Sequence, residues 1–299
     1  MTTPSLEPMT MPTPIESFLL HFHARHPGHS HRVIGRAPLA GFDSPYERIA
    51  GVAVSALRAA SAPPDGLLVE LACGDGYLLE RILREGIPPA RCVGVDMSDA
   101  ELGAARARPA LAGVPLLCER AQELSLASNS AACMVSHGSF NVMCDLEQVV
   151  AEVARVLRPG GLLVWTMLDG PWPGSPNAFP LFLRLFDATH DRATRDVPVL
   201  ADRRTRTRTG IESLFCPRTG FEELTIEEAE VSLDDSPEGV WSRLRWFYEM
   251  ATWTEAEVED TRARFLAAAD SMRQADGTIP CRMIHRQVSC RRAHGELRP

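Results

Sequence analysis

Near residue 70 an apolar run, Leu67–Leu71, passes directly into a turn holding Gly74 and Gly76 and then into a helical stretch, Tyr77–Arg84. A chain that makes this strand–turn–helix step has few ways to fold. The apolar run belongs inside a sheet, and the helix must return over one face of it. The rhythm continues through Arg91–Val95 (strand), Ser98–Arg106 (helix), Val114–Cys118 and Ala131–Val135 (strands). A further helix places Leu146, Val149, Val150, Val153, Val156 and Leu157 on one face, and Gly161–Met167 is the fifth strand. Asp145, with Gln148 three residues on, predicts a capping box opening that helix; Arg158-Pro159-Gly160 closes it. Short apolar strands alternating with helices predict an α/β fold, a doubly wound, mostly parallel sheet covered on both faces.

Around this core the pattern changes. Residues 1–14, rich in Pro, Thr and Ser, predict a disordered leader, and 15–64 a helical arm that ends at the breakers Ser61–Gly66. Residues 65–168 form the ligand-binding core. An insert, 169–220, carries Pro171, Pro173, Pro176 and Pro180 and is too long for an ordinary crossover, which points to a lid. Residues 221–299 complete the sheet with strands at Phe221–Leu233 and Ile279–Cys290 and helices at Trp241–Tyr248 and Glu255–Met272.

The turn after the first strand is where an open α/β sheet binds ligands. Gly74 and Gly76 let a ligand approach the backbone, and Asp96 at the end of the second strand can accept hydrogen bonds from both hydroxyls of a ribose. The third glycine of a dinucleotide fingerprint is replaced by Leu79, which counts against nicotinamide; no P-loop sequence occurs. A net charge of -8 argues against nucleic acid, and no apolar run is long enough to span a membrane. The expected setting is the cytoplasm.

Three segments resemble the class I S-adenosylmethionine-dependent methyltransferases. Glu70-Leu71-Ala72-Cys73-Gly74-Asp75-Gly76 is similar to that family's first motif, Gly94-Val95-Asp96-Met97-Ser98 to its second, and Leu157-Arg158-Pro159-Gly160-Gly161 to its closing helix–turn–strand. The resemblance implies a seven-stranded Rossmann-like sheet and S-adenosylmethionine as cofactor. It places Glu70, Ala72, Cys73, Gly74 and Gly76 near the methionine end, Asp96 on the ribose, Met97 and the pair Ala121–Gln122 about the adenine, Ser136 and His137 beside the methionine, and Tyr46 of the arm against the cofactor. The sequence departs from the family pattern at two places: Ala72 stands for the first glycine, and Arg120 for an acid that commonly meets the adenine.

His137 is the candidate general base for a hydroxyl, phenol or carbon acid. Cys73 reads as structural rather than nucleophilic. His21, His23, His26, His29 and His31 are poorly spaced for one helix face, so no metal is expected. The run Arg203, Arg204, Arg206 and Arg208 is either solvated or steers an anionic substrate. Trp241, Trp246, Phe247, Tyr248 and Trp253 either pack inward, line an aromatic acceptor pocket with Trp172, or mark a homodimer contact. The expected activity is methyl transfer to O, N or C of a small molecule, in specialised natural-product biosynthesis. A cofactor-binding enzyme of non-methylating chemistry, such as cyclisation, is the alternative.

Overall fold

The computed structural model describes residues 11–59, 66–174, 176–190 and 202–295. Residues 1–10 of the expected leader, 61–65 of the expected break and 191–201 of the insert lie outside the described residues. In chain order the elements are α1 (Pro14–Arg25), α2 (His29–Ile34), α3 (Pro45–Arg58), β1 (Leu67–Leu71), α4 (Tyr77–Arg84), β2 (Cys92–Asp96), α5 (Asp99–Arg106), β3 (Leu116–Cys118) and β4 (Ala131–His137). They continue with α6 (Leu146–Val156), β5 (Leu157–Pro171), α7 (Ala178–Thr189), α8 (Arg208–Leu214), β6 (Phe221–Ser232), α9 (Pro237–Leu244), α10 (Glu255–Ala269) and β7 (Arg282–Arg292).

The seven strands form one sheet in the order β3-β2-β1-β4-β5-β7-β6. β1 pairs in parallel with both β2 and β4, so the strand order reverses beside it; β7 alone enters between β5 and β6, antiparallel to both. That reversal is the switch point where a ligand crevice opens beyond the strand ends. Both faces of β1, β2 and β4 are buried, as continuous apolar strands require, while the edge strands β3 and β6 are partly exposed. On one face Cys133, Val135, Val164 and Met283 join the apolar sides of α3, α4, α7, α9 and α10. On the other, Met134, Leu163, Trp165 and Val288 join α6 and α8.

Several expected boundaries shift. β3 begins after Pro115, which has no N–H to give a ladder. β5 starts at Leu157, not Gly161, because Leu157 pairs with Ala131 before a register shift. The helix expected over Trp241–Tyr248 instead starts at Pro237, capped by Ser236, and ends at Leu244. Thr13 and Pro14, assigned to the leader, open α1: the Thr13 hydroxyl accepts from Glu16 N–H and the Glu16 carboxylate from Thr13 N–H. The predicted capping box at Asp145 does not form. Its backbone is left-handed (φ 50°) and its side chain makes no cap hydrogen bond, whereas a capping side chain needs an extended backbone to reach back over the first turn.

Candidate functional site

The site begins with the loop after β1. Ala72, Gly74 and Gly76 all have left-handed backbones, with φ of 55°, 52° and 75°. At Gly76 a β-carbon would lie 2.3 Å from Leu111 Cδ1, so a side chain there would have to displace Leu111 and hold a left-handed backbone; at Gly74 the nearest atom is Glu101 Oε2 at 3.7 Å. Gly74 therefore leaves space for a ligand, while Gly76 serves the turn and the packing of α4. Because Gly76 precedes α4 and has no side chain to cap it, buried Glu70 does so: its Oε2 accepts from Leu79 N–H at 3.1 Å.

Asp96 closes β2 over this loop. Its Oδ2 accepts from Gly74 N–H and its Oδ1 from Ser98 N–H, each at 2.8 Å. These bonds fix the carboxylate plane and leave a lone pair on each oxygen for a diol. Burial raises its pKa, and the two amide donors oppose that rise. Burial also pushes the carboxyl of Glu70 and the thiol of Cys73 well above their ordinary values. A thiol so shifted is not a nucleophile at neutral pH.

Tyr46, Glu70, Ala72, Cys73, Gly74, Asp96, Met97, Ala121, Gln122 and His137 line one cavity. Gly76 and Ser136 do not. Ser136 is fully buried behind the site, its hydroxyl donating to Leu71 O at 2.8 Å and bonded to the Ser139 hydroxyl. His137, expected just past the fourth strand, is its last residue. Tyr46 of α3 stacks on its ring, with centroids 3.8 Å apart and planes 12° from parallel.

The N-terminal arm contributes more than Tyr46. Glu16, Leu19, His23, Gly28, His29 and His31 line the same cavity. Three polar latches hold the arm down. Glu16 meets Arg120 at 2.8 Å and accepts from Gln122 Nε2 at 3.3 Å. His23 Nδ1 lies 2.6 Å from buried Glu101, which also accepts from Gly28 N–H at 2.8 Å. His31 lies 3.0 Å from Asp75, which Arg108 also binds. Burial tends to raise the carboxyls of Glu16 and Asp75. The Thr13 amide and Arg120 outweigh it at Glu16, as His31 and Arg108 do at Asp75, and both stay below the usual range. These arm residues escape a sequence reading because a charged helix face ordinarily faces water. The available signal was Arg120, a cation in an acid's place that calls for an acidic partner.

A second cavity adjoins the first and shares His29, Ser30, His137, Gly138, Val142 and Tyr248 with it. Its walls include Val33 and Ile34 of α2, Phe179 and Leu183 of α7, Leu244, Trp246, Phe247 and Met283. The buried Oδ1 of Asn141, which also lines this cavity, has no hydrogen-bond partner among the described residues. Burial pushes His137 down to about 4 and His29 down to about 3, so both imidazoles are neutral at pH 7.

The remaining candidates fall elsewhere. Trp241 and Trp253 are buried in the core, and Trp172 lines neither cavity; its backbone N–H donates to Arg282 O. Trp246, Phe247 and Tyr248, each half-buried, line the second cavity. Of the basic run, Arg204 pairs with Asp202 and Glu147, and Arg208 with Glu212; Arg206, paired with Asp169, alone of the four lines a cavity. Of the five arm histidines, His21 is exposed, His23, His26 and His29 pack around Phe22, and His31 pairs with Asp75; no group of three or more metal-binding side chains gathers among the described residues. No described helix is long and apolar enough to cross a membrane.

Residues 69–165 match the family described as "Methyltransferase domain". Malonyl-[acyl-carrier protein] O-methyltransferase of Methylococcus capsulatus is 31% identical over 105 residues, covering 35% of this chain and 38% of that enzyme. Ubiquinone biosynthesis O-methyltransferase of Rhizobium etli is 33% identical over 104 residues, 34% of this chain and 41% of the enzyme. The matched stretch thus spans about two fifths of these relatives' length. Among solved structures, phosphoethanolamine N-methyltransferase 2 of Haemonchus contortus, in complex with S-adenosylhomocysteine, superposes with a TM-score of 0.53 at 16% identity, over 95% of this chain and 61% of that one. The strand order, the loop after β1 and the matched stretch agree: residues 69–165 form a methyltransferase domain, similar to those of S-adenosylmethionine-dependent methyltransferases.

Proposed function

We propose that this protein transfers a methyl group from S-adenosylmethionine to a small-molecule acceptor, at O, N or C, in specialised natural-product biosynthesis in the cytoplasm. The observation that carries this reading is the junction of the two cavities at His137 and Gly138. S-adenosylmethionine, when bound, supplies a methyl group on a sulfonium already activated for displacement. The first cavity suits such a ligand: Asp96 offers two oxygens to a ribose diol, Met97 and Ala121 offer apolar surface to a purine, and Gly74 leaves room for backbone approach. Glu16, Asp75 and Glu101 surround it with acid, which complements a molecule carrying ammonium and sulfonium charge.

The second cavity suits an acceptor with an apolar or aromatic body. Phe179, Trp246 and Phe247 would pack on rings, and Asn141 Oδ1 would accept from one polar group. His137, neutral and at the junction, would take the proton of a hydroxyl as it reacts. The latched arm keeps water from the reacting atoms.

Methyl-tritiated S-adenosylmethionine, offered with a panel of phenols, hydroxylated polyketides, amines and carboxylic acids, tests the proposal. Label moving to an apolar hydroxylated acceptor is the expected result. An acceptor transformed while the label stays on the cofactor would replace methylation with a non-methylating reaction such as cyclisation.

A further inference from the structure

Behind His137 the sheet carries a line of polar groups that nothing above uses. His137 of β4 stands opposite Thr166 of β5, Thr166 opposite Gln287 of β7, and Gln287 opposite Glu227 of β6. Residues paired across neighbouring strands share a face, as do residues two apart on one strand. His285 therefore shares the face of Gln287. Elsewhere that face is apolar: Cys133, Val135, Val164, Met283 and Val231 belong to the same core.

Within this line the buried atoms lack partners. Both ring nitrogens of His137, both of His285, the hydroxyl of Thr166 and Oε1 of Gln287 have no hydrogen-bond partner among the described residues. Each such atom costs about 1–3 kcal/mol when left unsatisfied. A sequence could remove the cost with Val at 166 or Leu at 285, the residue types that fill the rest of the face. The line also has an outlet. Gln287 Nε2 donates to Glu227 Oε2 at 3.3 Å, and Glu227, half exposed, pairs with Arg48 of α3 at 3.2 Å. The charged and titratable groups that act on His285 are His137 from β4 and Arg48 from α3; Glu227 of β6 stands opposite its neighbour on the same face, Gln287. Burial pushes His285 down to about 3, and the charges of His137 and Arg48 act in the same direction.

We propose that His137, Thr166, His285 and Gln287 hold a short file of water that carries a proton from the acceptor site to solvent at Glu227. This rests on the reading of His137 as base and adds the route by which the base is reset. When a hydroxyl reacts, its proton forms a new N–H bond with a His137 lone pair, and the O–H electron pair stays on the acceptor oxygen. A buried imidazolium is a poor resting place for that proton. The His137 N–H bond then breaks toward the first water of the file, each water passes one proton on, and one proton leaves near Glu227; nothing is oxidised or reduced. His285, Thr166 and Gln287 are positioning residues, since they act through the water and through His137.

Histidine-ring ¹⁵N NMR on the full-length protein with S-adenosylhomocysteine bound reads the path without any acceptor. His137→Gln and His285→Leu assign the signals. In the wild type, the His137 ring N–H should exchange with water despite its burial. In His285→Leu and, separately, in Thr166→Val, that exchange should slow about tenfold or more, the size of a barrier raised by about 1.4 kcal/mol. Both variants should stay folded, because each replaces a polar group, together with the water it holds, by an apolar side chain of similar volume. If His285→Leu does not fold, the nearly isosteric Thr166→Val carries the test. Exchange unchanged in the folded variants, or absent from the wild type, would overturn the path and leave the base reading standing. Turnover of a phenol retained by His137→Gln would remove the base reading, and the path's purpose with it.

Discussion

The two cavities that meet at His137 are built in opposite ways. The first is centred on the loops after β1 and β2, where three left-handed residues and one acid are fixed by backbone hydrogen bonds, with the arm and the loops after β3 and β4 laid over them. The second, ≈ 270 Å³ against ≈ 130 Å³, is assembled from α2, the end of β4, the end of β5, α7, the turn after α9 and β7. The floor of the first is local and hydrogen-bonded; the walls of the second come from distant elements and are more apolar. A local, hydrogen-bonded site tolerates little change, whereas a wall of apolar side chains from separate elements can be redrawn one residue at a time. The division suits a fold that keeps its cofactor while changing its acceptor.

Acid should break the two apart most severely. His29 and His137 at the junction, and His285 behind it, are held at about 3, about 4 and about 3 in the folded protein. The same rings titrate near 6.5 in the unfolded chain. Between those values the unfolded chain binds more protons, so stability falls as pH drops below about 6.5, by about 1.4 kcal/mol per pH unit for each ring. Glu16 and Asp75 have depressed pKa values, so their contribution persists below pH 5 and is lost only as pH falls through those values. Calorimetric melting from pH 7.5 to 4.5 should show a falling Tm with a slope reduced in His285→Leu. A flat profile above pH 5 would show that these rings charge freely in the fold.

Asp96→Ala should strike the first cavity alone. It removes the acceptor for the diol and for two backbone amides. A hydrogen bond to a charged group contributes about 1.5–3 kcal/mol, so the Kd for S-adenosylmethionine should rise about 100-fold by titration calorimetry. Retained affinity would move the ribose away from Asp96.

How much of each cavity could be seen in advance follows from the same division. The apolar runs place β1 and α4 at Leu67–Leu71 and Tyr77–Arg84, the bounds they have in the structure, and Asp96 lies where the motif puts it. The information is local there: strand burial, glycine conformation and one acid all lie within the single β1–α4–β2 unit, Leu67 to Asp96. The second cavity was legible only as composition. The aromatic residues near 245 are visible in the sequence, but whether Trp241 or Trp246 faces the cavity depends on where α9 ends. Ser236 and Pro237 fix its start two turns before Leu244, whereas the apolar pattern starts it at Trp241. Ser136 shows the limit at the motif itself: its neighbour lines the site, yet alternation along β4 turns Ser136 to the other face.

Trp246→Ala sharpens the comparison from the acceptor side. The Trp246 ring touches His26 and His29 at 5.1 and 5.8 Å and packs under Arg245, and it is only half-buried. Its loss should cost little stability. Aromatic contacts contribute about 0.5–1.5 kcal/mol beyond area, so the KM for an aromatic acceptor should rise up to about tenfold. The Kd for S-adenosylmethionine and kcat should stay put. A parallel loss of cofactor affinity would mean that the two cavities are energetically one.

The smallest effect tests whether the local site stores strain. Ala72 has φ 55° in a loop whose other two left-handed residues are glycines. A β-carbon in that conformation costs roughly 1–2 kcal/mol, against roughly 0.5–1 kcal/mol of extra chain entropy that a glycine would lose on folding. Ala72→Gly should therefore stabilise the fold by up to about 1 kcal/mol in chemical denaturation. The second cavity offers no counterpart, since none of its non-glycine lining residues is left-handed among the described residues. If Ala72→Gly stabilises the fold but weakens S-adenosylmethionine binding, the methyl group is a contact for the ligand, retained at a cost in stability. If it stabilises the fold and leaves binding unchanged, Ala72 is strain without a role in the cofactor site. A destabilised variant would mean that the loop packs around the Ala72 methyl more tightly than its backbone angle opposes it.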